Sequence, residues 1–197
     1  MEATTVYAEG NMSEVMSLGD IPDLTDIGVE ETTPFENGWY EGVIVGRREF
    51  TDNNGNDRVF ESSDAPSAKG DSRNIRLQVA LKRKSDGREM NISALINYQP
   101  NDLSQETIQA VTAQKEKVKA SGEQWGTLFR PFMTLTRLGK LQKIAGVRQL
   151  QRGTDGALVL TPLFGKTAFF KIAEDDRNAA YKQITDFKET APKKGVL

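Results

Sequence analysis

Residues 75–97 of the chain read IRLQVALKRKSDGREMNISALIN. From Ile75 to Leu81 an aliphatic side chain occupies every second position, which is the pattern of a β-strand with one buried face. Ser85-Asp86-Gly87 supplies a turn because glycine accepts a positive φ, and the alternation resumes over residues 90–96. The stretch therefore predicts a β-hairpin with one face in the core. The basic side chains of its other face are Arg76, Lys82 and Lys84.

Further elements are predicted on both sides of this hairpin. Residues 38–50 read as a first strand, and the polar turn at residues 52–57 leads into a short second strand over residues 58–62. After the hairpin, capping residues and the spacing of apolar side chains predict helices over residues 105–120 and 125–145. Three more strands are predicted in the last part of the chain, over residues 157–163, 167–173 and 180–187.

The order of strands, then helices, then strands, without βα alternation, predicts the fold class. We expect a mainly β protein, an antiparallel barrel with an α-helical insertion at about residues 101–148. Residues 1–37 are acidic and polar without periodicity, so they are predicted to form a flexible arm before a folded domain over residues 38–190. A short basic tail, residues 191–197, completes the sequence.

Charge is distributed unevenly along the chain. No Lys or Arg precedes Arg47, whereas ten of the 28 acidic residues lie at or before Glu41. The other 18 acids face all 26 basic residues, so residues 42–197 carry a net charge of +8 although the whole chain carries −2. An acidic arm on a basic body indicates a polyanionic partner, masking of the basic surface by the arm, or both.

The composition also excludes several classes of chemistry. The chain has no Cys and no His, so disulfides, thiolate or imidazole metal sites and catalysis by a histidine base are ruled out. Carboxylate chemistry with Mg²⁺ stays open, but Glu174-Asp175-Asp176 reads as a solvated turn. Gly165-Lys166-Thr167 lacks the earlier glycine of a phosphate-binding loop. We therefore expect no enzymatic activity, no metal and no cofactor.

No apolar run approaches the ~20 residues of a membrane span. The start of the chain has neither the basic nor the apolar region of a secretion signal. We expect a cytoplasmic protein without a membrane partner.

Two runs of basic residues, 69–88 and 124–154, favour a groove that follows a phosphate backbone over the alternative of a solvated charged face. The second run holds six basic residues and no acid. Exposed aromatic rings near such charges bind unpaired bases for ~1–3 kcal/mol each, although core packing is the alternative role for each single ring. By strand alternation Phe169 shares a face with Lys171, and Trp39 with Arg47. The candidate nucleic-acid-binding residues are Trp39, Arg47, Phe60, Arg76, Lys82, Lys84, Phe169 and Lys171.

The segment Gly38-Trp39-Tyr40-Glu41-Gly42-Val43-Ile44 resembles the start of phage-encoded single-stranded-DNA-binding proteins with an OB-like fold. Residues 163–169 and 181–187 are similar to the closing strands of that family. The resemblance covers about residues 38–190 and implies an OB-like barrel that binds single-stranded DNA in replication or recombination, in the cytoplasm of a bacterial host. The longer helical section and the acidic arm depart from the family pattern.

One stretch of the arm carries a second resemblance. Residues 19–24 resemble the acidic tip with which bacterial single-stranded-DNA-binding proteins recruit replication and repair partners. In those proteins the tip ends in a free carboxylate, whereas here it is internal. The candidate partner-binding residues are Asp20, Ile21, Pro22, Asp23 and Leu24.

The leading hypothesis is a non-enzymatic, sequence-tolerant single-stranded-DNA-binding protein, with RNA and homo-oligomerisation left open. The alternative is a virion structural or adaptor protein whose N-terminal arm mediates assembly. A third reading, a nuclease that uses carboxylates and Mg²⁺, requires cleavage of DNA when Mg²⁺ is added.

Removal of the acidic arm tests whether it competes with DNA. If the arm masks the basic surface, a chain that begins at Phe35 binds oligothymidine more tightly than the full chain, and the gain is largest at low salt because screening is weakest there. Fluorescence anisotropy of labelled oligothymidine measures both affinities. Equal affinities at low salt would contradict masking and leave the arm with partner recruitment.

Overall fold

The computed structural model describes residues 34–51, 54–175, 178–193 and 196. Within them the chain forms eight β-strands and two α-helices. The strands are β1 (Gly38–Val45), β2 (Arg47–Thr51), β3 (Asp57–Glu61), β4 (Ser63–Pro66), β5 (Arg73–Lys82), β6 (Glu89–Tyr98), β7 (Thr167–Asp175) and β8 (Asn178–Lys188). The helices α1 (Gln105–Ser121) and α2 (Phe129–Ala145) lie between β6 and β7 in the chain.

Strand β5 is the centre of a six-stranded antiparallel sheet. β6 pairs with β5 along its whole length, from Arg73 opposite Tyr98 to Lys82 opposite Glu89. The other edge of β5 is shared, because β4 pairs with its first half and β1 with its second half. β7 then pairs with β1, and β8 with β7, which extends the sheet to β6-β5-β1-β7-β8. β2 and β3 form a separate two-stranded hairpin.

The paired strands do not close into a barrel. β6 and β8 border the opening and contact each other, but no ladder of paired residues joins them in the described part of the chain. Helix α2 contacts both of these strands. The prediction of a mainly antiparallel β fold with a helical insertion is confirmed, whereas a closed barrel is not observed.

The core is formed by the inner face of the sheet and by α2. Ile75, Leu77, Val79 and Leu81 are buried, as the alternation along β5 predicts. Gly42 on β1 is required by this packing, because a Cβ atom there would lie 2.7 Å from Cδ2 of Leu81. Tyr40, Tyr98, Leu141, Phe170 and Ile172 complete the centre of the core.

The predicted first strand over residues 38–50 is two strands. The chain leaves the main sheet at Gly46, whose Cα faces the ring of Phe164 so closely that an added Cβ would lie 2.6 Å from it. Ser62 fixes the return of the chain at the same place. Its backbone N–H donates to the Gly46 carbonyl (2.8 Å), and its hydroxyl donates to the Val45 carbonyl (2.6 Å). Arg47 therefore belongs to the separate hairpin and not to the strand of Trp39.

The predicted strand over residues 157–163 is absent. Pro162 lies in a short 3₁₀ helix, Thr161–Leu163, and the extended pairing before it is limited to one bridge between Arg152 and Leu158. Proline has no N–H for a ladder, and its buried neighbours Leu160 and Leu163 fill the core from a loop. The apolar residues that suggested a strand are thus core residues of an irregular segment.

The folded unit begins earlier than predicted, at Phe35. The sequence assigned Phe35 to the arm, yet its side chain is buried and its ring centroid lies 5.1 Å from that of Tyr40. The guanidinium of Arg83 lies over the Phe35 ring, 5.0 Å from its centroid. A single aromatic residue before the first strand carries no periodicity, so the sequence could not signal its burial.

A buried carboxylate joins four parts of the fold. Asp64 on β4 accepts hydrogen bonds from the Tyr98 hydroxyl (2.6 Å), Nε of Arg73 (3.0 Å) and the backbone N–H of Leu158 (2.7 Å). Its side chain is 1% exposed, so these bonds replace water completely. Burial is the main cause of a raised pKa of Tyr98, and the hydrogen bond to Asp64 raises this pKa further. β4, β5, β6 and the loop at Leu158 are therefore held by one anion.

Removing this anion should destabilise the protein strongly. Asp64→Ala leaves the buried side of Arg73 and the Tyr98 hydroxyl without their acceptor, so we expect a loss of about 3–5 kcal/mol in the free energy of unfolding. Tyr98→Phe removes one hydrogen bond and should cost about 1 kcal/mol. Urea unfolding followed by circular dichroism measures both. Glu116→Ala, on the exposed side of α1, is the control; a similar loss in all three variants would contradict the role of Asp64.

Candidate nucleic-acid interface

The outer face of the sheet carries one row of side chains that crosses five strands. The pairing register aligns a residue of each strand, in the order Glu89, Lys82, Glu41, Phe169 and Lys188. Cross-strand partners in such a row point to the same face of the sheet. The charge along the row therefore alternates in sign on the β6 side, and the aromatic ring of Phe169 lies between the carboxylate of Glu41 and the ammonium of Lys188.

Lys82 and Lys84, both predicted site residues, lie in the mixed part of this face. Lys82 stands between Glu41 and Glu89 in the row, and Nζ of Lys84 is 4.0 Å from Oε2 of Glu41. These residues line a cleft of about 510 Å³ beside the turn between β5 and β6. Both lysines are exposed, but a phosphate here would also meet two carboxylates.

Several cations of the two basic runs form ion pairs within the fold. The Arg83 side chain is 9% exposed and holds Asp86 within the turn after β5, donating from Nε at 2.9 Å, which keeps the pKa of Asp86 well below its usual range. Arg130 on α2 donates to the buried carboxylate of Asp102 (2.8 Å). Lys140 is paired with Asp186. The basic runs therefore overstate the charge that is available to a ligand.

Arg76 occupies a different part of the outer face. It is exposed on β5, with Ser63 of β4 and Leu95 of β6 as its cross-strand partners. No acid stands opposite it, unlike Lys82. Leu95 is 58% exposed, so this patch combines a guanidinium with an apolar surface.

The β2–β3 hairpin has two faces of different character. One face carries Arg48, Phe50, Arg58 and Phe60, because Arg48 pairs with Phe60 and Phe50 with Arg58. The rings of Phe50 and Phe60 touch, with centroids 4.8 Å apart. We call this set the Arg–Phe face. It interleaves two guanidinium groups with two aromatic rings.

The opposite face of the hairpin is mixed and partly acidic. Arg47 lies there, and its Nη2 is 2.9 Å from Oε1 of Glu49. Its cross-strand partner is Glu61. Of the two predicted hairpin residues, Phe60 thus lies on the Arg–Phe face and Arg47 on the other side.

Trp39, Phe169 and Lys171 come together on the outer face near β8. Trp39 pairs with Lys171 across β1 and β7, and Phe169 pairs with Lys188 across β7 and β8. Nζ of Lys188 lies 4.5 Å from the centroid of the Trp39 ring, which is a cation–π contact. Strand alternation predicted the shared face of Phe169 and Lys171 correctly, since the alternate residues Phe170 and Ile172 are buried.

The predicted residues therefore fall into separate places. Trp39, Phe169 and Lys171 form one cluster, Lys82 and Lys84 a second, and Arg76 and Phe60 stand apart from both. Arg48, Phe50, Arg58 and Lys188 were missed. The alternation of residues 47–51 and 57–61 indicates that the first three share a face. The position of Lys188 beside Phe169 is known only from the pairing of β7 with β8.

Other sequence predictions are located as follows. The candidate partner-binding residues Asp20, Ile21, Pro22, Asp23 and Leu24 lie outside the described residues. Glu174 and Asp175, which were predicted to lie in a turn, are the last two residues of β7, and Glu174 forms an ion pair with Lys182 (3.2 Å). Asp176 is not described. Among the described residues, no group of three or more acidic side chains is arranged to hold a metal ion.

Neither helix of the described part of the chain combines the length and the apolar content that crossing a bilayer requires. The chain matches no protein-family model. No curated protein matches it either.

Proposed function

We propose that this protein binds single-stranded DNA without sequence preference and serves replication or recombination of the phage type. The observation that carries the proposal is the Arg–Phe face of the β2–β3 hairpin. It presents guanidinium groups and aromatic rings in alternation on a ribbon that is separate from the main sheet. Such a surface suits a flexible strand, because each phosphate meets a cation and each base meets a ring.

The two phenylalanines support this reading by their exposure. Phe50 and Phe60 are half-exposed and contact each other, and neither belongs to the hydrophobic core. Packing of the two strands of the hairpin against each other accounts for the contact between the two rings. It does not account for Arg48, which lies beside the pair on the same face. Single-stranded nucleic acid is bound by this combination of rings, on which bases stack, and cations, which contact phosphates.

The strand order supports the OB-like part of the proposal. Starting from β1, the paired strands run to β5 and β6 on one side and to β7 and β8 on the other, and β6 approaches β8. An OB fold is a partly open five-stranded barrel whose second and third strands and first loop bind oligonucleotides. Here the strands in those positions are β5 and β6, and the first loop contains the β2–β3 hairpin. The analogy of fold supports the proposed position of the interface and not its chemistry.

Binding should weaken steeply with salt. If about four cations contact phosphates, the slope of log affinity against log salt is close to −3, and affinity falls about 50-fold between 50 and 200 mM salt. Anisotropy titrations with labelled oligothymidine measure the slope. Absent or salt-independent binding would contradict the proposal, and a closed ring in light scattering without DNA affinity would favour the virion-assembly alternative.

The two faces of the hairpin provide a matched pair of variants. Arg48→Gln should weaken binding about fivefold and reduce the salt slope by about 0.7, because one phosphate contact is lost. Arg47→Gln changes the neighbouring residue of the same strand on the opposite face, and its affinity should stay within twofold of the unmodified protein. Equal effects of the two substitutions would show that only overall charge matters and would remove the Arg–Phe face from the interface.

A further inference from the structure

A cleft of about 380 Å³ lies between α2 and the strand end that carries Trp39. One wall is a single face of the helix, since its members recur at three- and four-residue spacing. They are Met133, Thr136, Arg137 and Lys140. The other wall comes from β1, β7 and β8 and consists of Trp39, Lys171, Thr185 and Asp186.

The cleft has a surplus of positive charge. Its one acid, Asp186, is engaged by Lys140 and also accepts the backbone N–H of Phe187 (2.8 Å). Arg137 and Lys171 line the cleft, and neither has an ion pair with any described residue, although Asp186 is the cross-strand partner of Lys171. Lys188 adds a third cation at the Trp39 ring. An anion that enters the cleft thus meets cations that are not already neutralised.

The indole of Trp39 is free for stacking, which distinguishes it from the other tryptophan. Trp125 is stacked on Phe132, with ring centroids 3.9 Å apart. Trp39 forms no ring–ring contact with the described residues, and Lys188 provides a cation–π contact with its ring. Because this ring lines the cleft, a flat ligand that enters the cleft can stack on it.

We propose that this cleft binds one nucleotide of the DNA strand, with its base stacked on Trp39 and its phosphate held by Arg137 and Lys171. The inference rests on the proposed function and extends it, because the cleft is separate from the hairpin. Stacking on an indole and pairing of phosphate with cations are both independent of base identity, so the pocket selects a nucleotide and not a sequence.

The position of the cleft sets a minimum length for the ligand. Trp39 is the second residue of β1, and the hairpin begins at Arg47 beyond the end of the same strand. At the usual rise of a strand the two are about 25 Å apart. A dinucleotide can reach one of them, whereas an oligomer of several nucleotides can occupy both, which is within the site size of a single OB fold.

Tryptophan fluorescence tests the cleft directly. The chain has two tryptophans, so Trp125→Phe leaves Trp39 as the only indole and keeps a ring stacked on Phe132. We expect oligothymidine to quench this fluorescence with the same midpoint as the anisotropy change. Trp39→Leu should weaken binding about tenfold. Lys171→Gln should weaken it about fivefold, while Lys117→Gln, an exposed lysine on α1, should leave it within twofold.

The outcomes separate this inference from the proposed function. Normal anisotropy binding with unchanged Trp39 fluorescence, and with Trp39→Leu and Lys171→Gln at full affinity, would overturn the cleft and leave DNA binding intact. Absence of any binding would overturn both. Quenching by thymidine 5′-monophosphate at the same concentrations as oligothymidine would also overturn the inference, because it would assign the cleft to free nucleotides.

Discussion

The two edges of strand β5 are shared among three partners, and the rest of the sheet depends on this arrangement. β6 takes one edge entirely, while β1 and β4 divide the other. Since β1 and β4 lie along the same edge, the residues between them have no place in the sheet. They leave at Gly46 and return at Ser62, and the bonds of Ser62 to both β1 and β5 close the gap. The β2–β3 hairpin is thus a consequence of how β5 is paired.

Because the hairpin lies outside the main sheet, its side chains are not part of the hydrophobic core. A two-stranded ribbon is marginally stable by itself, and the contact between Phe50 and Phe60 stabilises it. The same rings remain half-exposed, so one pair of residues can support the ribbon and receive a ligand. The Trp39 cleft differs, because a helix and three strands fix its walls before any ligand arrives. The two sites therefore combine an adaptable surface with a preformed one.

Local patterns predicted the parts of the fold that are set by neighbours in sequence. The β5–β6 hairpin follows from strict alternation and a glycine turn, α1 follows from its caps at Ser104 and Gly122, and α2 follows from its apolar spacing. The failures have other causes. Residues 157–163 are apolar because a loop fills the core, and Gly46 ends a strand because the Phe164 ring lies against it. Contacts of this kind join residues far apart in the chain and leave no periodic trace.

The candidate interface was predicted less completely for the same reason. Lys82 lies on the outer face, as its strand alternation predicts, but its neighbours Glu41 and Glu89 come from two other strands. The sequence presents Arg83 as a surface charge, whereas its side chain forms an ion pair with Asp86 and a contact with Phe35. Charge runs measure how many cations a segment holds. The fold decides how many of them stay available.

The opening between β6 and β8 has a consequence for the internal motions of the protein. Elsewhere in the main sheet, separating two neighbouring strands requires breaking a row of backbone hydrogen bonds. At this seam, side-chain packing and the contacts of α2 hold the strands in the described part of the chain. Hydrophobic contacts can loosen in part, whereas a ladder opens as a cooperative unit. We therefore expect local opening to begin between β6 and β8, next to α2, which contacts both strands and also forms one wall of the Trp39 cleft.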